Sequence, residues 1–236
     1  MPPRRASDLP FETRAELIRH SNLGAEISAP VIDRLAASAL AVDYRRRRFI
    51  YRTGDAPEAV YLIIRGWVKL CCVDAETSRE AVIDILSPGA MFGESALYHS
   101  HLREKSAITY SNSRVLRLPV EDFRSAMDEH RELYDYTFRL VGQRLANAER
   151  RLADFALDAI PARLEKLLLE LSKRYGVRSY NGVLIDLPLP HREIASIVGS
   201  TRESITVRLN AMRREGIIDI VDRKILVKLP EALVAA

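Results

Sequence analysis

The stretch Pro190-His191-Arg192-Glu193-Ile194-Ala195-Ser196-Ile197-Val198-Gly199-Ser200-Thr201-Arg202-Glu203-Ser204-Ile205-Thr206-Val207-Arg208-Leu209-Asn210-Ala211-Met212 reads as two helices around a tight turn. Gly199 supplies the turn, and the small Ala195 lets the second helix approach closely. Ser200 or Thr201 can cap the second helix. Ile194, Ala195 and Val198 face inward from the first helix; Ile205, Leu209 and Met212, spaced 4 and 3, do so from the second. The second helix, expected over residues 202–215, keeps a polar face of Arg202, Glu203, Thr206 and Asn210. Arginine makes paired bonds to guanine, glutamate accepts from cytosine N4 and asparagine pairs with adenine, so this face suits a major groove. Residues 217–221 and 224–228 then read as a hairpin turned at Asp222-Arg223, placed as a wing.

Upstream, Pro161 opens a helix over residues 162–171 that reaches a glycine stop near Tyr175-Gly176, and residues 183–187 alternate like a strand. Before it, Tyr134, Phe138, Val141, Leu145, Ala148, Leu152 and Phe155 are spaced 4, 3, 4, 3, 4 and 3, a heptad seam along a helix expected over residues 123–158. Arg139, Gln143, Arg150 and Asp154 lie off that stripe. A second copy of the helix would bury the seam; packing on the protein's own β-domain is compatible if the stripe is shared. Between residues 189 and 216 there are five positive and three negative side chains, a surplus of only two. One such module binds DNA weakly, and doubling it doubles the phosphate contacts. A homodimer on a palindromic operator follows.

Between Phe49 and Leu118 short apolar runs alternate with turns such as Thr53-Gly54-Asp55, Arg65-Gly66 and Ser87-Pro88-Gly89, the pattern of a small barrel or jelly roll. Residues 1–21 read as a loose Pro/Arg-rich arm, and a short helix is expected within 25–41. The expected fold class is α+β. An N-terminal β-roll (22–122) leads through a dimerisation helix (123–158) to a winged helix-turn-helix (159–236).

The chain of 236 residues has a net charge of +4 and 47% hydrophobic residues, which excludes disordered and collagen-like classes. No apolar run approaches the ~18 residues of a membrane span. MPPRRASDLP has no apolar core and is not read as a signal peptide. Two adjacent cysteines, Cys71 and Cys72, build no disulfide framework, and a cytoplasmic location is expected.

The order of parts resembles the CRP/FNR superfamily of bacterial transcription regulators from about residue 22 to 230. The marks are Gly54-Asp55 with Val60-Tyr61-Leu62-Ile63, Gly66-x-Val68-Lys69-Leu70, Phe92-Gly93-Glu94, and Gly199-Ser200-Thr201-Arg202-Glu203-Ser204-Ile205-Thr206. The resemblance implies DNA contacts from Ser200, Thr201, Arg202, Glu203, Thr206, Val207, Arg208, Asn210 and His191. It also implies RNA polymerase as a partner if the regulator activates. A second reading arginine usual in the family falls on Val207, with Arg208 displaced by one; Val207 suits a thymine methyl. In cyclic-AMP-responsive relatives a Gly-Glu pair and an Arg-Ser pair hold phosphate and ribose. Here Gly93, Glu94 and Ser106 are kept, Lys105 replaces the arginine and loses its bidentate fork, and Ala148 and Glu149 replace two hydroxyl residues. A cyclic nucleotide is thereby disfavoured as effector. The clustered N-terminal cysteines of the FNR branch are missing, which counts against an iron–sulfur cluster.

Three other features are weighed. Cys71 and Cys72 sit mid-strand with one facing in and one out, the outward thiol a redox candidate if Lys69 or Arg79 lowered its pKa. His99 and His101, with Glu94 and Glu104, could seed a cupin-type metal site and an enzyme; solvated loop histidines are the competing reading. The arginines at 45–48 read as a solvated strand edge. A ligand-binding module acting on a protein partner is the alternative to a DNA-binding regulator.

Overall fold

The computed structural model describes residues 4–5, 9–74, 80–98, 102–187 and 189–228. It forms two compact units, Met1–Asn147 and Ala148–Ala236. The first contains β1 (Arg4–Arg5), α1 (Phe11–Arg19), α2 (Ala29–Ser38), β2 (Leu40–Tyr44), β3 (Phe49–Tyr51), β4 (Ala59–Arg65), β5 (Val68–Val73), β6 (Glu80–Leu86), β7 (Met91–Phe92), β8 (Ser106–Thr109), β9 (Ser113–Pro119) and α3 (Val120–Glu129). The unit boundary falls inside α4 (Arg131–Leu157). The second unit continues with α5 (Ile160–Tyr175), β10 (Gly176–Ser179), β11 (Gly182–Ile185), α6 (His191–Val198), α7 (Arg202–Arg214), β12 (Ile218–Val221) and β13 (Lys224–Lys228).

The first unit is a roll of two antiparallel sheets, ordered β1-β2-β9-β4-β7 and β3-β8-β5-β6. Strand periodicity makes it two-cored. From β4, Val60 and Leu62 point to a cluster with Ile18, Leu35, Phe123 and Leu133 of the helices. Ala59, Tyr61 and Ile63 point the other way, into a cluster with Tyr51, Leu70, Phe92 and Ala107. Burying each such large side chain contributes roughly 1.5–3 kcal/mol. Cys71 is buried and Cys72 exposed, as the alternation requires. Lys69 is buried and paired with Glu80; Arg79 lies outside the described residues.

Several expectations need correction. The arm expected over residues 1–21 contains α1, whose Ala15 and Ile18 are buried in the roll's outer core. Its narrow apolar stripe is diluted by charged neighbours, so composition concealed it. The single helix expected over residues 123–158 is broken at His130, which is extended (φ −133°). α3 and the start of α4 bury Phe123, Leu133 and Tyr136 in the first unit's core, so the compact unit ends at Asn147 rather than at residue 122. The expected glycine stop at Gly176 is no left-handed cap (φ −79°). Glycine is needed there because a Cβ would lie 2.0 Å from the Ser172 carbonyl and 2.3 Å from Val183 Cγ1. β10, a strand that no sequence pattern marks, completes the sheet β10-β11-β13-β12.

Candidate nucleic-acid interface and effector pocket

In the second unit α6 and α7 are joined through Gly199, which is left-handed at φ 70°. A Cβ there would meet Phe155 Cε1 at 2.5 Å, so the tight turn and the close approach both demand glycine. Phe155, the last expected seam residue, is thus partly committed to its own unit. It packs on the turn, and the Arg163 guanidinium lies 4.8 Å from its ring centroid. Arg163 also donates to the carbonyls of Val198 (3.0 Å) and Asp158 (2.8 Å), tying the ends of α4, α5 and α6 together.

Thr201 caps α7, its Oγ1 accepting from the Ser204 N–H at 3.2 Å, while the Ser200 hydroxyl makes no such bond. Ile205, Leu209 and Met212 are buried against Ile194, Ala195 and Val198 of α6, as the spacing requires. Arg202, Glu203, Val207 and Asn210 are exposed, Val207 at 68%, and share the face opposite. Thr206 is half-buried: its Oγ1 donates to the Arg202 carbonyl at 2.8 Å and lies 2.8 Å from His191 Nδ1. A hydroxyl has one proton, so Nδ1 of His191 is the donor to Thr206. That bond locks α6 onto the first turn of α7 and leaves the Thr206 methyl as its free part. Arg208 is drawn off the exposed face, pairing with Glu165 at 2.8 Å and Glu215 at 3.5 Å. The expected wing is present as β12 and β13, turned at Asp222 and Arg223, both at positive φ (48° and 64°). Arg213 pairs with Asp219 at 3.2 Å and fixes the wing to α7. The Ile220 N–H on Asp219 and the Arg213 charge hold that carboxyl below its usual range.

On α4 the seam is exposed: Tyr134 at 60%, Phe138 at 74%, Leu145 at 59% and Leu152 at 71%. Ala148 is also exposed and Val141 is half-buried.

In the first unit the expected effector residues are arranged differently from a simple open cradle. Gly93 is left-handed (φ 80°), the region that favours glycine, and a Cβ there would lie 3.2–3.3 Å from Arg103, Tyr61 and the Ala59 carbonyl. Glu94 is 4% exposed and paired with Arg144 of α4, which also donates to the Met91 carbonyl at 2.7 Å. Burial pushes the Glu94 carboxyl up, but the Arg144 guanidinium outweighs it and holds the group below its usual range. Ser106 is buried, and its Oγ accepts from the Thr53 N–H at 3.0 Å. Lys105 is half-buried and acts on Glu94 through space.

Sequence reading missed two arginines here. Arg103, 2% exposed, donates to Gly93 O at 2.8 Å and to Ala59 O, and lies over Tyr51 at 4.3 Å. Tyr51, Tyr61 and Phe92 cluster beside it with ring centroids 5.1–6.1 Å apart. Arg103 stands in a run with Glu104 and Lys105, where nothing local singles it out. Arg144 carried a legible signal. Leu133, Thr137, Leu140 and Arg144 repeat the 4, 3, 4 spacing one residue before the seam, forming a second stripe that faces the roll. Ala148 and Glu149 are exposed on the part of α4 that belongs to the second unit. His99 and His101 lie outside the described residues. No helix among the described residues is long and apolar enough to cross a membrane.

Comparison with known proteins agrees with this arrangement. Residues 41–130 match the cyclic nucleotide-binding domain family and residues 162–236 the Crp-like helix-turn-helix domain family. The chain is 30% identical over 213 residues to the global nitrogen regulator of Synechocystis sp., covering 89% of this chain and 90% of that protein. It is 27% identical over 218 residues to the CRP-like cAMP-activated global transcriptional regulator of Mycobacterium tuberculosis, covering 92% and 97%. The solved structure of a CRP/FNR-family transcriptional regulator from Thermus thermophilus superimposes with a TM-score of 0.65 at 28% identity, covering 83% of this chain and 96% of that one. With a cyclic-nucleotide-binding-type roll, a long helix and a Crp-like helix-turn-helix in that order, the chain belongs to the CRP/FNR superfamily of transcription regulators.

Proposed function

We propose that this regulator acts as a homodimer that reads a palindromic operator through α7 and is not switched by cyclic AMP. The observation that carries the reading is the exposure, on one chain, of both the α7 face and the apolar α4 stripe. Arg202 sits at the first turn of α7, where it reaches base edges; Glu203 accepts from cytosine N4 or orients Arg202; Val207 meets a thymine methyl; Asn210 lies one turn further. Thr201 and His191 contact phosphates. RNA polymerase is the protein partner where the regulator activates, and its place of action is the cytoplasm.

Selection from random duplexes returns inverted half-sites about 34–36 Å apart. Against every single-base variant of that operator, Arg202→Ala loses about 1–3 kcal/mol per half-site and loses discrimination at one base pair. A uniform loss at all positions makes Arg202 a positioning contact. Asymmetric selected sites overturn the dimeric reading.

The effector reading rests on engaged groups. Glu94 is held by Arg144, the Ser106 hydroxyl by Thr53, and Lys105 lacks the planar fork. The carboxylate that a ribose hydroxyl needs is already paired within the chain. Each hydrogen bond missing from a buried polar ligand costs about 1–3 kcal/mol. Titration calorimetry is expected to register no cyclic AMP binding in the micromolar range; micromolar binding that also enhances operator affinity refutes this.

A further inference from the structure

We infer that the middle of α7 recognises a chemical group rather than a base pair. The group is the C5-methyl of a pyrimidine, carried by thymine and equally by 5-methylcytosine, so methylating a cytosine at that operator position raises affinity. This deepens the base-reading role of α7 and rests on it. Val207 is 68% exposed. Among the described residues of α7 it is the one large hydrophobic left so open; Ile205, Leu209 and Met212 are buried. A β-branched side chain is a weaker helix former than straight-chain residues. Neither core packing nor helix propensity therefore accounts for a valine here. At 3.6 residues per turn it stands one turn after Glu203 and one turn before Asn210, both exposed, at the centre of the polar face.

The hydrogen-bonding groups on either side of Val207 in the chain are already engaged. The Thr206 hydroxyl gives its proton to the Arg202 carbonyl at 2.8 Å and accepts from His191 Nδ1 at 2.8 Å, so it has no donor left for a base. Arg208 is held by Glu165 at 2.8 Å and by Glu215 at 3.5 Å. Glu203 and Asn210 lie four and three residues away, roughly 6 and 4.5 Å along the axis. That exceeds the ~3.4 Å between base pairs, so they address neighbouring pairs.

Thymine and cytosine are told apart in the major groove by an O4 acceptor against an N4 donor. An isopropyl group neither donates nor accepts, so it does not sense that difference. It does sense the methyl that thymine carries at C5 and cytosine lacks. 5-Methylcytosine carries the same methyl on the same atom beside an N4 donor. Valine therefore groups thymine with 5-methylcytosine, and uracil with cytosine. Burying one methyl against the isopropyl group is worth about fourfold in affinity for each half-site.

The test uses the full-length protein and the operator it selects. Each thymine of a half-site is replaced in turn by uracil, which removes the methyl and keeps every hydrogen-bonding group. Binding is expected to weaken about fourfold at one thymine. At that pair four duplexes are compared, carrying thymine·adenine, uracil·adenine, 5-methylcytosine·guanine and cytosine·guanine. The two methylated duplexes are expected to bind alike, and each unmethylated one about fourfold more weakly. Val207→Ser erases the methyl preference on both pairs, and Val207→Ile keeps it. The proposal falls if no uracil weakens binding. It falls if 5-methylcytosine binds no better than cytosine, which assigns the pair to a hydrogen-bonding side chain. It falls if Val207→Ser keeps the preference, which moves the methyl contact to another residue. Arg202→Ala separates this failure from failure of the base-reading role. Discrimination lost at the Arg202 pair with no methyl effect anywhere sinks the methyl reading alone; a wild type that selects no sequence sinks both.

Discussion

Replacing Leu145 and Leu152 together by aspartate yields a folded monomer that no longer binds its operator at concentrations where wild type saturates it. The two leucines are 59% and 71% exposed on the isolated chain. In a symmetric dimer each faces its own copy, so the double variant removes four buried leucines. At roughly 1.5 kcal/mol each, the loss is at least about 6 kcal/mol, more than a ten-thousandfold rise in the dimer's dissociation constant. Four buried carboxylates add to that. The monomer keeps a single half-site and half the phosphate contacts. Sedimentation velocity reads the assembly state, and far-UV circular dichroism establishes that helix content is retained. A double variant that still sediments as a dimer would show the seam to be elsewhere.

Arg144→Met should destabilise the β-roll unit by about 3–5 kcal/mol, because Glu94 is left buried with its main counterion gone. Arg144→Met combined with Glu94→Gln recovers part of that loss, since no charge is then stranded. The pH dependence separates a charge effect from a packing effect. In wild type the Glu94 carboxyl is held low, so its pair contributes stability that is present above the unfolded-state value of about 4.3 and is lost as pH falls through the folded value. Without Arg144, burial is the largest influence left, opposed by the Glu94 backbone hydrogen bond and by Lys105, and it moves the pKa upwards. The single variant is then destabilised most at neutral pH and recovers as pH falls towards the raised value. Trp67, the only tryptophan, follows β-roll unfolding by fluorescence in urea at neutral and acid pH. Equal losses for wild type and Arg144→Met on acidification would reduce the pair to a packing contact.

The same physics explains which features were legible. Periodicity reports a face that is apolar along its whole length. The α6–α7 core residues and the period-two strands have such faces, and each is found where its spacing put it. α1 was hidden because a helix of nine residues that buries mainly Ala15 and Ile18 carries too little apolar contrast among arginines and glutamates. The break at His130 was hidden because it lies four residues before the seam begins at Tyr134, so no apolar periodicity spans it.

The polar sites divide along another line. Local chemistry determines the left-handed turn at Gly199, the cap at Thr201 and the polar face of α7, because each depends on residues within one helical turn of it. Long-range partners determine the rest. Arg208 has the residue type of a DNA contact, and Glu165, 43 residues away, takes it. Lys105 occupies the expected phosphate position, yet the guanidinium groups that the roll encloses are those of the buried Arg103 and the half-buried Arg144. Phe155 follows the seam spacing and still packs on Gly199. Sequence sets which side chains can carry charge and which faces can be buried, since those are properties of a residue and its near neighbours. Which carboxylate meets which guanidinium is set by the packing of distant elements, because an ion pair is satisfied by whatever the fold brings within reach.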